Sequence, residues 1–271
     1  MNLRRRDFLQ LAASIVTLPL GLHVSENGAR YTLKSTLYRP NGTGPFPLVV
    51  LNHGAPANYA DVPSQFETFT DQSAWFVARG CAVLVPNRRG YGGSTGPFAE
   101  SVGPCAHPNF LRAANASADD VVAAIGAVVS QRTVDSSRIV VAGQSAGGYA
   151  SLAVGARAQR GLVGIVNIDG GRGSLDSGQN CDPAQLVAVA GDFGVTARAP
   201  SLWLYARNDE RFTPSLARKM FDAYERHRPA GVDRFVVLPP YDTDGHTMFS
   251  YAAAIPLWAP YVAPFLKRVL G

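Results

Sequence analysis

The sequence predicts an α/β protein whose central sheet is mostly parallel and is covered by helices on both faces. Apolar, β-branched runs alternate along the chain with segments that have helical spacing. Most of these runs are continuously apolar, as expected for strands whose two faces are both buried. Residues 31–38 alternate weakly and predict an outer strand. The chain has 271 residues, of which 46% are hydrophobic and 17% are charged. This composition is typical of a globular protein with one large core.

Strand and helix predictions alternate in order along the chain, which is the pattern of βαβ units. The predicted strands are residues 31–38, 47–52, 81–85, 138–142, 162–168, 201–205 and 235–238. The predicted helices are residues 64–78, 116–129, 146–158, 214–226 and 252–270. The connections 96–114 and 170–199 contain no obvious helix, and we expect them to form a lid or the wall of a pocket.

The most informative motif is Gly-Gln-Ser-Ala-Gly at residues 143–147, between a predicted strand and a predicted helix. A sharp strand-to-helix turn of this kind holds the serine in a strained conformation with its hydroxyl exposed. Glycines flank it because neighbouring backbone leaves no room for side chains. Ser145 is therefore the candidate nucleophile.

A serine hydroxyl needs a base to take its proton, and the base needs a carboxylate to orient it. Asp209 follows the predicted strand 201–205, and His246 follows the predicted strand 235–238. Of the five histidines, we predict His246 as the base, because it lies in a turn after a strand and directly follows a glycine. Glu210 is the alternative to Asp209, one residue further along.

The negative oxygen of a tetrahedral intermediate needs hydrogen-bond donors. We predict the backbone N–H of Ala146, directly after the serine, and that of Ala55, in the turn after strand 47–52. Pro56 has no N–H to offer, and His53 is expected to shape the turn. Residues 88–94, Arg-Arg-Gly-Tyr-Gly-Gly-Ser, match no phosphate-binding or dinucleotide-binding loop. They predict a tight turn at the site, with an arginine held by a core carboxylate.

The first 29 residues have the layout of an export signal, with a basic segment followed by a short apolar one. Residues 5–10 resemble a twin-arginine signal, with Gln10 where the pattern usually has lysine. We therefore predict a leader at residues 1–29, a single domain at residues 30–271 and transient contact with the export machinery. The protein is then periplasmic or secreted. A leader kept as a membrane tether, or as a helix on the domain, is the alternative.

The three cysteines predict a buried thiol and a disulfide rather than a metal site. Cys81 begins an apolar run and is expected to be a buried thiol. Cys105 and Cys181 lie in polar connections; we hypothesise a disulfide between them, with two free thiols as the alternative. No metal-ligand spacing occurs.

The net charge of +5 comes in part from residues 4–7, and the other arginines are scattered, which argues against a nucleic-acid partner.

These motifs together resemble the α/β-hydrolase superfamily, in particular its dienelactone-hydrolase-like and prolyl-oligopeptidase-like serine hydrolases. The resemblance covers the chain from about residue 31 onward, through the motifs at 53–56, 88–94, 143–147, 209 and 244–246. It implies a catalytic triad of Ser145, Asp209 and His246 and no cofactor. Dienelactone hydrolases use a cysteine nucleophile, whereas a serine stands here. Prolyl oligopeptidases carry a large β-propeller, for which this chain has no room.

The resulting hypothesis is a serine carboxylic ester hydrolase that acts on small or accessible esters through an acyl-enzyme. A peptidase or amidase on the same triad is an alternative, in which Asp169, Asp176 or Asp182 holds a free amine. An acyltransferase and a non-catalytic binding protein are further alternatives. Four aromatic residues are candidates for an apolar pocket lining, although core packing is the commoner fate of such residues: Phe98, Phe110, Phe193 and Phe212.

Overall fold

The computed structural model describes residues 15–26, 29–176 and 178–271. Eight strands form the main sheet: β1 (Ile15–Glu26), β2 (Ala29–Pro40), β3 (Phe46–Asn52), β4 (Ala82–Pro86), β5 (Val134–Gln144), β6 (Leu162–Ile168), β9 (Ser201–Ala206) and β10 (Arg234–Leu238). A short hairpin consists of β7 (Ser174–Asp176) and β8 (Gln179–Asn180). The helices are α1 (Thr70–Val77), α2 (Phe110–Val129), α3 (Ala146–Ala156), α4 (Pro183–Thr196), α5 (Pro214–Glu225) and α6 (Ile255–Leu270).

The strands of the main sheet follow the order β1-β2-β4-β3-β5-β6-β9-β10. All pairs from β4 to β10 are parallel, whereas β2 is antiparallel to both of its neighbours. The sheet is therefore mostly parallel, as predicted. The carboxyl ends of β3, β5, β6, β9 and β10 consequently meet at one edge, where ligands bind in open α/β sheets.

Alternating residues of each central strand face opposite sides of the sheet. In β3, Leu48 and Val50 pack into one apolar cluster with helices α2 to α5, and Val49 and Leu51 pack into another with α1 and α6. Helices on both faces thus explain why the strand sequences are continuously apolar. No helix in the described part of the chain has the length and apolar character needed to cross a membrane.

The two largest differences between predicted and observed helix starts have local reasons. Helix α2 begins six residues earlier than expected, because the side chain of Asn109 caps it by accepting the N–H of Arg112. Helix α1 begins only at Thr70, because Phe69 adopts a left-handed conformation with φ of 46°. Glu67 accepts the backbone N–H groups of Thr68 and Phe69, which holds that bend.

The structure differs from the prediction of a leader that extends over residues 1–29. Residues 15–26 form strand β1, which pairs along its whole length with β2. Leu22 and Val24 are buried in the main core, while Gly21, His23 and Ser25 are exposed. This alternation explains why the segment joins the sheet, so the folded unit begins earlier than residue 30. The twin-arginine motif lies outside the described residues, and export stays a prediction.

The connection 170–199 contains more structure than the sequence prediction assigned to it. Helix α4 occupies its second half and begins where Asp182 accepts the N–H of Gln185. Pro183 follows at the first helical position, where its missing N–H costs nothing. The Asp-Pro pair was a usable helix-start signal in the sequence. The first half of the connection carries the β7–β8 hairpin.

Candidate active site

Ser145 lies at the junction of β5 and α3 in a strained backbone conformation, with φ of 56° and ψ of −124°. A Cβ added to Gly143 would lie 2.3 Å from the carbonyl oxygen of Gly147. One added to Gly147 would lie 2.2 Å from the carbonyl oxygen of Asn52. Only glycine fits at either position, which is the reason expected for the motif.

The structure brings together the three side chains that the sequence predicted to form a triad. The Nε2 atom of His246 lies 2.9 Å from the Oγ atom of Ser145. Its Nδ1 atom lies 3.1 Å and 3.2 Å from the two carboxylate oxygens of Asp209. His246 and Asp209 are both buried, whereas Glu210, the alternative acid, is exposed. The geometry therefore favours Asp209 over Glu210.

Backbone groups hold the acid and the base of this arrangement. The Oδ1 atom of Asp209 accepts the N–H groups of Arg211 and Phe212 at 2.8 Å and 2.9 Å. Asp244 accepts the backbone N–H of His246 and so caps the 3₁₀ turn Gly245–Ser250. The Nε2 atom of Gln144 donates to the carbonyl oxygen of His246 at 2.6 Å. These two contacts therefore fix the backbone of His246 from both sides.

One predicted oxyanion donor follows Ser145 directly, and the other lines the cavity that contains this serine. Ala146 is the first residue of α3, where a backbone N–H has no acceptor within its own helix. Ala55 lines the cavity next to Gly54. A Cβ on Gly54 would approach the Cβ of Ser145 to 3.2 Å, so this turn lies directly against the serine. The oxyanion role of the two N–H groups stays a prediction.

His53 supports the turn that carries Ala55. Its Nδ1 atom lies 2.7 Å from the carbonyl oxygen of Gly54, and its Nε2 atom lies 3.3 Å from the backbone nitrogen of Arg88. These partners assign the proton to Nδ1, which donates, and the lone pair to Nε2, which accepts. Complete burial and the charge of Arg88 lower the pKa of His53 to about 3. His53 is thus a neutral structural imidazole.

A buried ion cluster lies behind this turn. Glu100 accepts two hydrogen bonds from Arg88 and one, at 3.1 Å, from Arg172. Burial raises the pKa of Glu100, but the two arginines outweigh burial and lower this pKa to about 2. Arg172 also donates to the carbonyl oxygen of Ala146 at 3.3 Å. Glu100 is thus the core carboxylate expected to hold an arginine of the 88–94 turn.

The sequence prediction did not single out Arg172 or Glu100. The only local signal for Arg172 was its place between glycines in a long connection. Arg89, the second arginine of the same turn, forms its own buried ion pair with Asp120 at 2.7 Å.

The cavity at the serine has a volume of about 530 Å³ and is partly open to solvent. Its walls come from the turn after β3, the connection 96–114 and the connection 170–199, so both predicted wall segments contribute. Of the four aromatic candidates, only Phe212 lines it. Phe110 and Phe193 are buried in the core, and Phe98 packs against Tyr59 and Tyr91.

Cys105 and Cys181 form a disulfide that joins the two wall segments of the cavity. Their Cα atoms lie 5.0 Å apart across 76 residues of sequence. This confirms the hypothesised pairing. Cys81 is a free, buried thiol whose pKa is raised to about 11 by burial.

Of the three acids considered for holding an amine, Asp169 and Asp182 are not placed for that role. Asp169 is completely buried, and Asp182 caps α4 beside a different cavity. The side chain of Asp176 lies outside the described part of the chain. Glu67 borders the active-site cavity, but its Oε1 atom accepts two backbone N–H groups. In the described ranges, no group of three His, Cys, Asp or Glu side chains is placed to hold a metal ion.

Comparison with known proteins agrees with the observed fold. The model of the prolyl oligopeptidase family matches residues 67–161, about a third of the chain. A candidate dienelactone hydrolase from Klebsiella pneumoniae is 19% identical, with a TM-score of 0.60 over 94% of this chain and 99% of its own. An acetyl xylan esterase from Paenibacillus is 15% identical, with a TM-score of 0.62 over 98% and 93%.

A puromycin-hydrolysing peptidase from Mycobacterium tuberculosis is 17% identical, with a TM-score of 0.63 over 95% of this chain and 39% of its own. No protein with a curated description matches the sequence. The matched family and these three structures are all hydrolases in name. The predicted resemblance and the predicted fold are confirmed: the chain has the α/β-hydrolase fold.

Proposed function

We propose that this chain of the α/β-hydrolase fold is a serine hydrolase that cleaves carboxylic esters through an acyl-enzyme. The observation that carries the proposal is the unbroken line of contacts from the Ser145 hydroxyl through His246 to Asp209. A buried carboxylate at one ring nitrogen and a serine hydroxyl at the other is the arrangement that general-base activation requires.

In the proposed reaction, the Oγ atom of Ser145 attacks the ester carbonyl carbon while Nε2 of His246 takes the hydroxyl proton. Asp209 keeps the other ring proton on Nδ1 and stabilises the imidazolium. The N–H groups of Ala146 and Ala55 bind the oxyanion. Collapse expels the alcohol, which receives its proton from His246. Water then attacks the acyl-enzyme by the same route and releases the carboxylic acid.

The cavity supports small or accessible esters as substrates. Its volume of about 530 Å³ lies within the range of small-molecule sites, and it is open on one side. The match to the prolyl oligopeptidase family favours a peptidase as the second candidate. The complete burial of Asp169 and the place of Asp182 beside a different cavity weigh against a peptidase in which either acid holds a free amine.

Hydrolysis of p-nitrophenyl acetate and butyrate tests the proposal, with aminoacyl-naphthylamides as the peptidase comparison. We expect turnover of the esters and covalent labelling of Ser145 by a fluorophosphonate probe, both lost in Ser145→Ala. Ser215→Ala, an exposed serine of α5, is the matched control and keeps both. Full ester turnover in folded Ser145→Ala would refute the assignment of the nucleophile.

Export through a twin-arginine route is a separate proposal. The disulfide between Cys105 and Cys181 supports it, because disulfides persist in oxidising compartments. The test is cell fractionation of the full chain in a bacterial host that has this exporter. We expect periplasmic protein from the native sequence and cytoplasmic protein from the double variant Arg5→Lys, Arg6→Lys. Equal fractions in both would contradict the proposal.

A further inference from the structure

Two buried acids occupy the ends of the neighbouring strands β6 and β9. Asp209 belongs to the candidate triad, whereas Asp169, directly after β6, has no part in the proposed reaction. Asp169 is completely buried and has a left-handed backbone conformation with φ of 46°. Its N–H donates to the carbonyl oxygen of Leu204, and its Oδ1 atom accepts the N–H of Ala206, both at 2.8 Å. The carboxyl group is therefore fixed by the adjoining strand.

The second oxygen of this carboxyl group has no donor. Across the described part of the chain, no N–H or O–H group donates to Oδ2 of Asp169, which is shielded from solvent. The side chain of Asp209 lies within hydrogen-bonding reach. Two ionised carboxylates in contact, one with a bare buried oxygen, repel each other and lack compensation. A single proton between the two carboxyl groups removes the repulsion and gives the bare oxygen a hydrogen-bond partner.

We propose that Asp169 is a positioning residue that carries a proton on Oδ2 and donates it in a hydrogen bond to the carboxylate of Asp209. The reactive consequences of this contact rest on the proposed function, but the protonation itself does not. Burial and the charge of Asp209 raise the pKa of Asp169 well above its ordinary value, which agrees with the geometry.

The other groups around Asp169 leave Asp209 as the acceptor. Tyr205 donates its hydroxyl proton to the carbonyl oxygen of Gly170 at 2.6 Å, so it does not supply Asp169. Asp244 is a further acid on this side, and it accepts the backbone N–H of His246. None of the three residues that act most strongly on Asp169, which are Asp209, Ala206 and Asp244, is a cation. Protonated Asp169 therefore orients Asp209 without adding a second negative charge beside His246.

Replacement by asparagine and by alanine separates this role from simple packing. In Asp169→Asn, the amide oxygen accepts the N–H of Ala206 and the NH₂ group donates to Asp209, as the neutral acid does. Asp169→Ala provides neither group. With p-nitrophenyl acetate, we expect Asp169→Ala to lower kcat about tenfold with little change in KM. Asp169→Asn rescues most of this loss, with the acidic limb of the kcat/KM profile at its native position.

Two results would overturn the proposal. An ionised Asp169 would supply a negative charge that asparagine lacks, so Asp169→Asn would move the acidic limb by about one pH unit to lower pH. Equal kcat losses in folded Asp169→Asn and Asp169→Ala would show that the donated hydrogen bond does not matter.

Infrared difference spectroscopy reads the proton directly and needs no activity. At about pH 8, we expect the native protein to show the C=O stretch of a protonated carboxyl group, which is absent in Asp169→Asn. The matched control is Asp233→Asn, since Asp233 is a buried carboxylate paired with Arg228 at 2.9 Å beyond the opposite end of β9. Its replacement removes an ionised carboxylate band instead. A native spectrum without the protonated band refutes the proposal, whether or not the protein cleaves esters.

Discussion

His53 and His246 are both buried, and both follow strands that end at the same edge of the sheet beside Ser145. Their ring partners differ. His246 has the carboxylate of Asp209 at Nδ1 and the Ser145 hydroxyl at Nε2. His53 has a carbonyl oxygen at Nδ1, a backbone N–H at Nε2, and arginines nearby.

This difference teaches that burial near a nucleophile does not make a histidine a base. A base needs a free lone pair aimed at the proton and a negative charge that stabilises the imidazolium. At His53, the lone pair is already used, and Arg88 and Arg172 oppose a positive ring. The same side chain is therefore the proposed base in one place and a structural residue in the other.

The two histidines should differ most in how far kcat falls when each imidazole is removed. We expect His246→Ala to lower kcat by about 10⁴-fold or more, because the serine loses its base. His53→Asn keeps a donor near the Nδ1 position, and we expect a loss of about tenfold or less from a shifted oxyanion turn. Steady-state kinetics on p-nitrophenyl butyrate checks both. Similar losses in the two folded variants would contradict the assignment of roles.

Replacement of Glu100 has the next largest expected effect, because this carboxylate is the counter-charge of the two arginines beside His53. Glu100→Gln leaves Arg88 and Arg172 buried without their counter-charge, and we expect a loss of about 3–5 kcal/mol in the free energy of unfolding. The control is Asp119→Asn, which breaks a half-exposed pair with Arg157 and should cost less than about 1 kcal/mol. Urea denaturation at neutral pH measures both. Equal small losses would show that the cluster is not electrostatically coupled.

The smallest expected effect is on the pH dependence of the free energy of unfolding. The pKa of His53 falls from 6.5 to about 3 in the folded protein. Below pH 6.5, His53 binds a proton in the unfolded chain but not in the native protein. His53 therefore makes the native state less stable as pH falls. The slope is about 1.4 kcal/mol per pH unit from this group.

Urea denaturation between neutral pH and about pH 4 measures this slope. We expect His53→Asn to lose stability less steeply than the native protein on acidification. His107→Asn, which replaces an exposed histidine, should follow the native slope. Parallel curves for His53→Asn and the native protein would mean that His53 titrates normally.

Local sequence signals were sufficient for most of the sheet and for the candidate triad. Each of Ser145, Asp209 and His246 follows an apolar run, and turns after parallel strands converge on one edge whatever the rest of the fold does. Strand β6 was predicted with its observed bounds, residues 162–168. Strand β1 was missed because its apolar residues follow a basic segment and resemble a leader. Only pairing with β2 distinguishes the two interpretations.

The chain by itself determined the parallel part of the sheet, the serine turn and the order of the candidate nucleophile, acid and base, because these depend on short-range patterns of apolar, glycine and polar residues. Tertiary structure decided which buried charges meet. Glu100 and Arg172 lie 72 positions apart, and Asp169 and Asp209 lie 40 apart along the sequence. No local pattern encodes such contacts, since each depends on how loops from different strands pack at the shared edge. That packing makes His53 neutral and leaves His246 facing the serine.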